Sequence, residues 1–336
     1  GQRPDDLDWK GNTPVHSAVN GRRLESVKYL IEAGADLTIK DENGQTPFDL
    51  AIEREAGNVL AFLRSKGYKE TPVVDPDIVQ LAENLRRITF PFHMKTNILV
   101  QTGADGTLLV DTGFSKRAAG RLKEEIAAMR GGKIGYIINS HEHWDHVAGN
   151  FIAGEATRTI SYGRIDEALS GGALSRVDEQ IPGKTGRGFD HYYTMRVNGE
   201  EIRLIPYPGV HSESDMLICF TGSGVVHVGD LLLAQSFPAI GNVPGYLEFL
   251  DTLIDVFPLE TTFVCGHGKD LDYEGLLEYR KMLRTTVEIV RAEMEKGLTL
   301  DEIRESDALK DFESYGEFLT FLNTGSWTNA IFGSYR

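Results

Sequence analysis

The chain has 336 residues, 41% of them hydrophobic, which is ample for two globular domains with sizeable cores. Its 35 Lys and Arg against 50 Asp and Glu leave a formal net charge of −15, which excludes nucleic acid as a partner, because that binding rests on cations that neutralise phosphates. No apolar run reaches the roughly eighteen residues of a membrane span, so no membrane contact is expected and the protein is read as soluble.

The start, Gly1-Gln2-Arg3-Pro4 without a methionine, leaves room for a removed signal peptide or further N-terminal sequence, so the compartment stays open between cytoplasm and periplasm. Asp8, Gly11, Thr13, Pro14 and Ala18 recur as Asp41, Gly44, Thr46, Pro47 and Ala51, and Leu30 and Gly34 as Leu63 and Gly67. Residues 1–70 are thus two copies of one unit. The runs Gly11-Asn12-Thr13-Pro14-Val15-His16 and Gly34-Ala35-Asp36 resemble the ankyrin repeat, which makes this unit all-α and makes His16 a residue of the helix turn. The resemblance implies a protein partner or self-association through the repeats; a cap that only stabilises its neighbour is the equal alternative. Two repeats bury too little core to stand alone, so they should lean on the next domain.

Residues 71–84, with Pro72, Pro76 and several acids, predict a linker running into a helix. Asn97 to Thr102 and Thr107 to Asp111 are apolar runs around Gly103-Ala104-Asp105-Gly106, a hairpin signal. Ser115 then caps a helix with Ala119, Leu122 and Ile126 on one face, and Gly131-Gly132 ends it before the short strand pattern Ile134 to Ser140. Strand, helix and strand in alternation give an α/β class.

Directly after that strand, His141, His143, Asp145 and His146 crowd into one short run. Alternate residues of an extended segment share a side, so His141, His143 and Asp145 can meet at one point; His146 joins them only if the segment turns. Imidazole with carboxylate suits zinc, iron or manganese. The plainer reading is four polar residues in a solvated loop.

The stretch Gly171 to Gly188, carrying Arg176, Lys184 and Arg187, reads as a long loop, functional or merely inserted. Val197 to Ile205 reads as a hairpin leading to Tyr207-Pro208-Gly209-Val210-His211. Met216 to Phe220, Val225 to Val228 and Thr262 to Cys265 read as buried strands, the last two ending at Asp230 and His267. Cys219 and Cys265 fall in these runs as small buried hydrophobes. Tyr273 to Lys296 is helical in spacing, Thr299 and Glu302 form a capping box, and Phe312, Tyr315, Phe318, Phe321, Trp327 and Phe332 in the tail read as core, with self-association second.

Taken together, Asp111-Thr112-Gly113, His141-x-His143-x-Asp145-His146, His211, Asp230 and His267, in this order, resemble the metallo-β-lactamase superfamily over residues 85 to about 275. The resemblance implies an αββα sandwich, two mixed sheets face to face with helices outside and the site along one edge. Residues 85–336 become the catalytic domain, with C-terminal helices over about 272–336. It implies that His141, His143 and His211 hold one metal ion, that Asp145, His146 and His267 hold a second, that Asp230 bridges them, and that Asp111 supports the ligand loops. Two Zn2+ are expected, with iron or manganese as alternatives. Two such ions about 3.5–4 Å apart share a water and lower its pKa towards neutrality, and Asp145 would orient the resulting hydroxide.

Departures within the family narrow the chemistry. His143 stands where flavodiiron members carry glutamate, which disfavours oxygen reduction, and the acidic charge conflicts with nuclease work. Asp230 resembles the bridging carboxylate of glyoxalase II and lactonases, where β-lactamases carry cysteine or serine. Leu233 occupies the place of a substrate-binding lysine or tyrosine in specialised branches, while Gly241-Asn242 resembles a β-lactamase loop whose asparagine faces the substrate carbonyl. The expectation is a dinuclear hydrolase attacking a small-molecule ester, thioester, lactone or lactam, with Asp145 and Asn242 as its catalytic residues and neutral substrates preferred. A β-lactamase proper, or an ankyrin-based scaffold with an inert hydrolase domain, are the alternatives. Outside the motif, His227 reads as a core residue and His191 as solvated, with a place lining the cleft the minor reading for His93.

Overall fold

The computed structural model describes residues 3–8, 11–92, 94–113, 115–163, 179–181, 189 and 192–336. His93, His191, Arg176, Lys184 and Arg187 fall outside the described residues.

The two repeats are helix pairs, α1 (Pro14–Asn20) with α2 (Leu24–Glu32) and α3 (Pro47–Glu53) with α4 (Gly57–Ser65). Thr13 and Thr46 open α1 and α3 as capping boxes with His16 and Asp49, and a proline fills each first turn, where no N–H is needed. His16 does what the repeat pattern implies. Its Nδ1 lies 2.8 Å from Thr13 Oγ1 and its Nε2 3.0 Å from the Gln45 carbonyl, so it ties the first repeat to the second. Val15, Val19, Val27, Phe48, Ala51, Val59 and Leu63 form the shared core.

The segment expected to run as a linker into a helix instead enters β1 (Asp77–Ala82), which pairs antiparallel with β2 (Leu85–Thr89) from Asp77 opposite Thr89 to Ala82 opposite Leu85. A tight return at Glu83-Asn84 and the β-branched pair Ile78-Val79 favour that pairing over a helix. The chain continues through β3 (Asn97–Gly103), β4 (Gly106–Val110), α5 (Lys116–Ala128), β5 (Ile134–Ile138), α6 (Trp144–Val147), β6 (Arg158–Tyr162) and β7 (Glu179–Ile181). Strands β1 to β7 lie in sequence order in one seven-stranded sheet, antiparallel as far as β4 and parallel beyond it.

The second sheet has the order β12-β11-β10-β9-β8, from β8 (Tyr193–Val197), β9 (Glu200–Pro206), β10 (Met216–Phe220), β11 (Val225–Gly229) and, after α7 (Val243–Val256), β12 (Thr262–Cys265). Helices α8 (Tyr273–Glu295), α9 (Leu300–Glu305) and α10 (Thr324–Ser334) complete the chain. Strand alternation builds the layers. Leu99, Leu108, Val110 and Ile138 of the first sheet meet Ile202, Leu204, Ile218 and Val264 of the second, while Ile98, Val100, Leu109 and Ile137 turn outward to Ala119, Leu122 and Ile126 of α5. On the far side Leu217, Val226, Val228 and Phe263 meet Phe249, Leu250, Leu276, Leu283 and Trp327. The result is an α/β, αββα sandwich beside an all-α repeat unit. Cys219 and Cys265 are buried and unpaired, and burial pushes both thiols up to about 12. Among the described residues, no helix is long and apolar enough to cross a membrane.

Candidate metal centre

Ligand-type side chains gather where strands of both sheets end on one rim. After β5 the backbone bends through residues 140–142 to His143 (φ −63°, ψ 141°), the residue that precedes the short helix α6, so the segment turns there. The turn is what admits His146: Asp145 and His146 lie in the helical turn and face inward, while Trp144 stands 53% exposed. From the second sheet, His211 follows β9, Asp230 follows β11 and His267 follows β12.

Two groups form. Donor atoms of His141, His143, His211 and Asp230 lie within 4.8 Å of one another, and so do those of Asp145, His146 and His267. Asp230 joins the groups: its Oδ2 is 3.5 Å from His211 Nε2 and 3.3 Å from His267 Nε2, and its Oδ1 is 3.3 Å from His146 Nε2. His143 presents Nδ1, 3.0 Å from His211 Nε2. Gly266 has to be glycine, since a Cβ there would lie 2.1 Å from Asp230 Oδ1.

The remaining ring nitrogens of His141, His146, His211 and His267 are tied down, which fixes the face each of these imidazoles shows. Ser140 Oγ lies 3.0 Å from His141 Nδ1, the Ala239 carbonyl 3.1 Å from His211 Nδ1 and the Met94 carbonyl 2.6 Å from His267 Nδ1. Asp111, fully buried with φ 59°, accepts from the Ser140 N–H at 2.8 Å and its hydroxyl at 2.7 Å, and reaches His146 Nδ1 at 2.7 Å.

Charge is concentrated here. Burial drives His141 well below the ordinary histidine value and lowers His143, with the neighbouring imidazoles adding to both shifts. Burial opposes His146 and His267 too, but the surrounding carboxylates outweigh it: Asp230, Asp111 and Asp145 hold His146 well above its usual range, and Asp230 and Asp145 lift His267 to about 9. Burial likewise works against ionised Asp230 and Asp145. His267 and His146 overcome it and hold both carboxyls low, Asp230 well below the usual range.

Three residues that hold this arrangement escaped the sequence reading. Asp215 accepts from the backbone N–H groups of His211 and Ser212, at 2.8 and 2.7 Å, and fixes the His211 loop, while burial raises its carboxyl to about 6. Asn97 donates through Nδ2 to the carbonyls of Cys265 and Gly268, at 2.8 and 2.9 Å, and so grips the His267 loop from the first sheet. Ser140 links Asp111 to His141. The pattern Ser212-x-x-Asp215 was the one local signal available. His227 is fully buried, accepting the Gly229 N–H at Nδ1 at 3.2 Å, a core histidine as read.

Two other residues sit differently from the expectation. Asn242 caps α7, its Oδ1 accepting the Gly245 N–H at 3.1 Å. Leu233 is not an open wall of the pocket: it is 2% exposed and packs with Leu319 and Leu322, under Phe318 and Met94.

Comparison with known proteins follows the same lines. The family model described as metallo-beta-lactamase superfamily matches residues 92–284, and that for ankyrin repeats (many copies) matches residues 1–51. A hydroxyacylglutathione hydrolase of Methylococcus capsulatus is 27% identical over 177 residues, 51% of this chain and 60% of that protein. An ankyrin repeat-containing protein of Schizosaccharomyces pombe is 40% identical over 60 residues, 18% of this chain and 29% of its own. The chain thus spans less than two thirds of either relative. A stereoselective inverting sec-alkylsulfatase from Pseudomonas sp. superposes with a TM-score of 0.60 at 15% identity, over 98% of this chain and 63% of that one. A metallo-beta-lactamase from Pontibacter korlensis gives 0.51 at 14%, over 62% and 99%. At such identities the likeness is one of fold.

Proposed function

The chain belongs to the metallo-beta-lactamase superfamily and carries N-terminal ankyrin repeats, and from that premise we propose that it is a dinuclear zinc hydrolase acting on the carbonyl of a small ester, thioester or lactone. One observation carries the reading. His141 Nε2 and Asp230 Oδ1 are buried polar atoms with no hydrogen-bond partner among the described residues, at the place where the two ligand groups meet. Burying such atoms unpartnered is costly, and a coordinated cation removes the cost. The donor set of imidazoles with carboxylates suits zinc, with iron or manganese as alternatives. Asp230, Asp111 and Asp145 around His146, and Asp230 and Asp145 around His267, favour positive charge at this point, which divalent ions would supply.

His141, His143 and His211 would hold one ion, Asp145, His146 and His267 the other, with Asp230 between them. Two ions so held supply Lewis acidity and bring the pKa of a water towards neutrality. The residues of the chain do the rest. Asp145 accepts a hydrogen bond from the attacking water and so orients it, Asp111 and Asp215 keep the ligand loops from moving as charge develops, and Nδ2 of Asn242 is the donor nearest in role to the substrate oxygen.

Substrate class rests on the comparison with relatives, since Leu233 is closed off by the C-terminal segment and lines no pocket wall. Likeness to a hydroxyacylglutathione hydrolase supports thioesters. The repeats, on which Leu7 and Tyr29 stand exposed, are assigned to protein recognition alongside their contact with the catalytic unit. The test is a panel of thioesters, esters, lactones and β-lactams offered to zinc-loaded protein. Zinc-dependent turnover of the first three above the β-lactams is expected; preference for β-lactams would overturn the substrate assignment, and uptake of zinc without any turnover would favour an ankyrin scaffold.

A further inference from the structure

One carboxylate of the repeats reaches into the catalytic unit. Glu53, the last residue of α3, lies over the start of α5: its Oε1 accepts from the Ser115 hydroxyl at 2.6 Å and the Arg117 N–H at 3.2 Å, and its Oε2 from the Lys116 N–H at 2.7 Å. The first N–H groups of a helix have no intrahelical partner and carry the positive end of its dipole, so a carboxylate is the ligand they favour. Helix α5 has no acid of its own in its first turn. Glu53 supplies from the second repeat what the local sequence omits, while Ser115 caps the helix from within by accepting the Ala118 N–H at 3.1 Å.

The contact is anchored on both sides. Arg117, with a side chain 7% exposed, meets the fully buried Asp49 at 3.0 Å and Glu70 at 2.7 Å. Asp49 also accepts from Thr71 through backbone N–H at 3.0 Å and hydroxyl at 2.6 Å, so the chain leaving the repeats is held in the same knot.

On its other side α5 is joined to the metal centre by the segment Asp111–Gly113. Asp111 holds His146 and Ser140, the Thr112 N–H donates to the His146 carbonyl at 2.8 Å, and the Gly149 N–H donates to the Gly113 carbonyl at 3.1 Å. There is no slack: a Cβ on Gly149 would lie 2.2 Å from the Thr112 carbonyl oxygen. Asp111 and Gly113 have φ of 59° and 74°, and Asp111, as a non-glycine residue in the left-handed region, persists there only because its surroundings hold it.

We propose that Glu53 is a positioning residue for the metal centre: by capping α5 from the ankyrin unit it fixes the Asp111–Gly113 segment, and through it His146. The functional meaning rests on the metallohydrolase reading above; the mechanical coupling does not. The test is Glu53→Gln, which keeps the shape and removes the charge, with Glu55→Gln as control, since Glu55 pairs with the Lys116 ammonium at the surface and, among the described residues, accepts from none of the first N–H groups of α5. Amide hydrogen exchange on metal-free protein is expected to quicken about tenfold at Lys116 and Arg117 and to a similar degree at Thr112 and Gly149 in Glu53→Gln, and to stay at the wild-type rate in the control. Zinc competition with a chromophoric chelator is expected to show one of two equivalents weakened roughly tenfold and the other unchanged. Faster exchange confined to Lys116, Arg117 and the repeats, or both zinc equivalents unchanged, would overturn the proposal. A wild-type protein that takes up no zinc would sink the metallohydrolase reading, and the exchange at Thr112 and Gly149 would then decide the coupling alone.

Discussion

The Oδ2 of Asp111 lies 2.7 Å from Nδ1 of His146, with both side chains fully buried. That contact turns Nε2 of His146 towards Asp230 and His267, and it puts a carboxylate behind a group that would face the bound ion. Asp111→Asn keeps a residue that tolerates left-handed backbone but removes the charge. Affinity for one zinc ion is expected to fall about ten- to a hundredfold, read by chelator competition, with the far-ultraviolet circular dichroism unchanged. Unaltered affinity would show that the aspartate serves only to shape the loop.

Asp145→Asn and Asp230→Asn should each lower turnover by roughly a thousandfold or more, because each removes a charged ligand and, at Asp145, the acceptor that orients water. Measured on protein whose fold is verified by circular dichroism, near-normal turnover in either variant would refute the two-ion mechanism.

Protein purified without chelators should contain close to two zinc ions per chain by elemental analysis. Stripping them should lower the melting temperature, since an ion at a hundredfold over its dissociation constant adds about 2.7 kcal/mol to the folded state. A consistent content of one ion or less per chain would mean that the Asp145, His146 and His267 group stays unfilled.

Deleting residues 1–70 removes Asp49, Glu53 and Glu70 together, leaving Arg117 without its carboxylates and α5 without its outer cap. A melting temperature several degrees lower is expected, on the order of what 1–2 kcal/mol produces in a domain of this size. No change at all would identify the repeats as an independent module.

Much of the site is legible in the sequence, for a local reason. His141 to His146 put four donors into one run, and Asp230 and His267 sit where buried apolar runs stop, so each announces itself without knowledge of the fold. Asn97 does not. Its worth depends on the carbonyls of Cys265 and Gly268, far along the chain, and nothing around Asn97 signals that meeting. Strand β1 was hidden behind prolines and acids, and only the pairing with β2 reveals it. Leu233 shows the opposite failure: spacing from Asp230 placed it correctly in the chain, but Leu319 and Leu322 from the tail cover it, and a single sequence does not reveal which distant segment will lie over a given residue.

Neither sheet owns a complete site, because His141 to His146 follow β5 of one and His211, Asp230 and His267 follow strands of the other. During synthesis, a chain that has emerged only as far as β6 carries four donors with nothing opposite them. On the metallohydrolase reading, full affinity would arrive only once β12 has joined β11 and brought His267 into place. A half-made molecule would then withhold little metal from its surroundings, and a mature one stripped of its ions would open first along the seam between the two sheets.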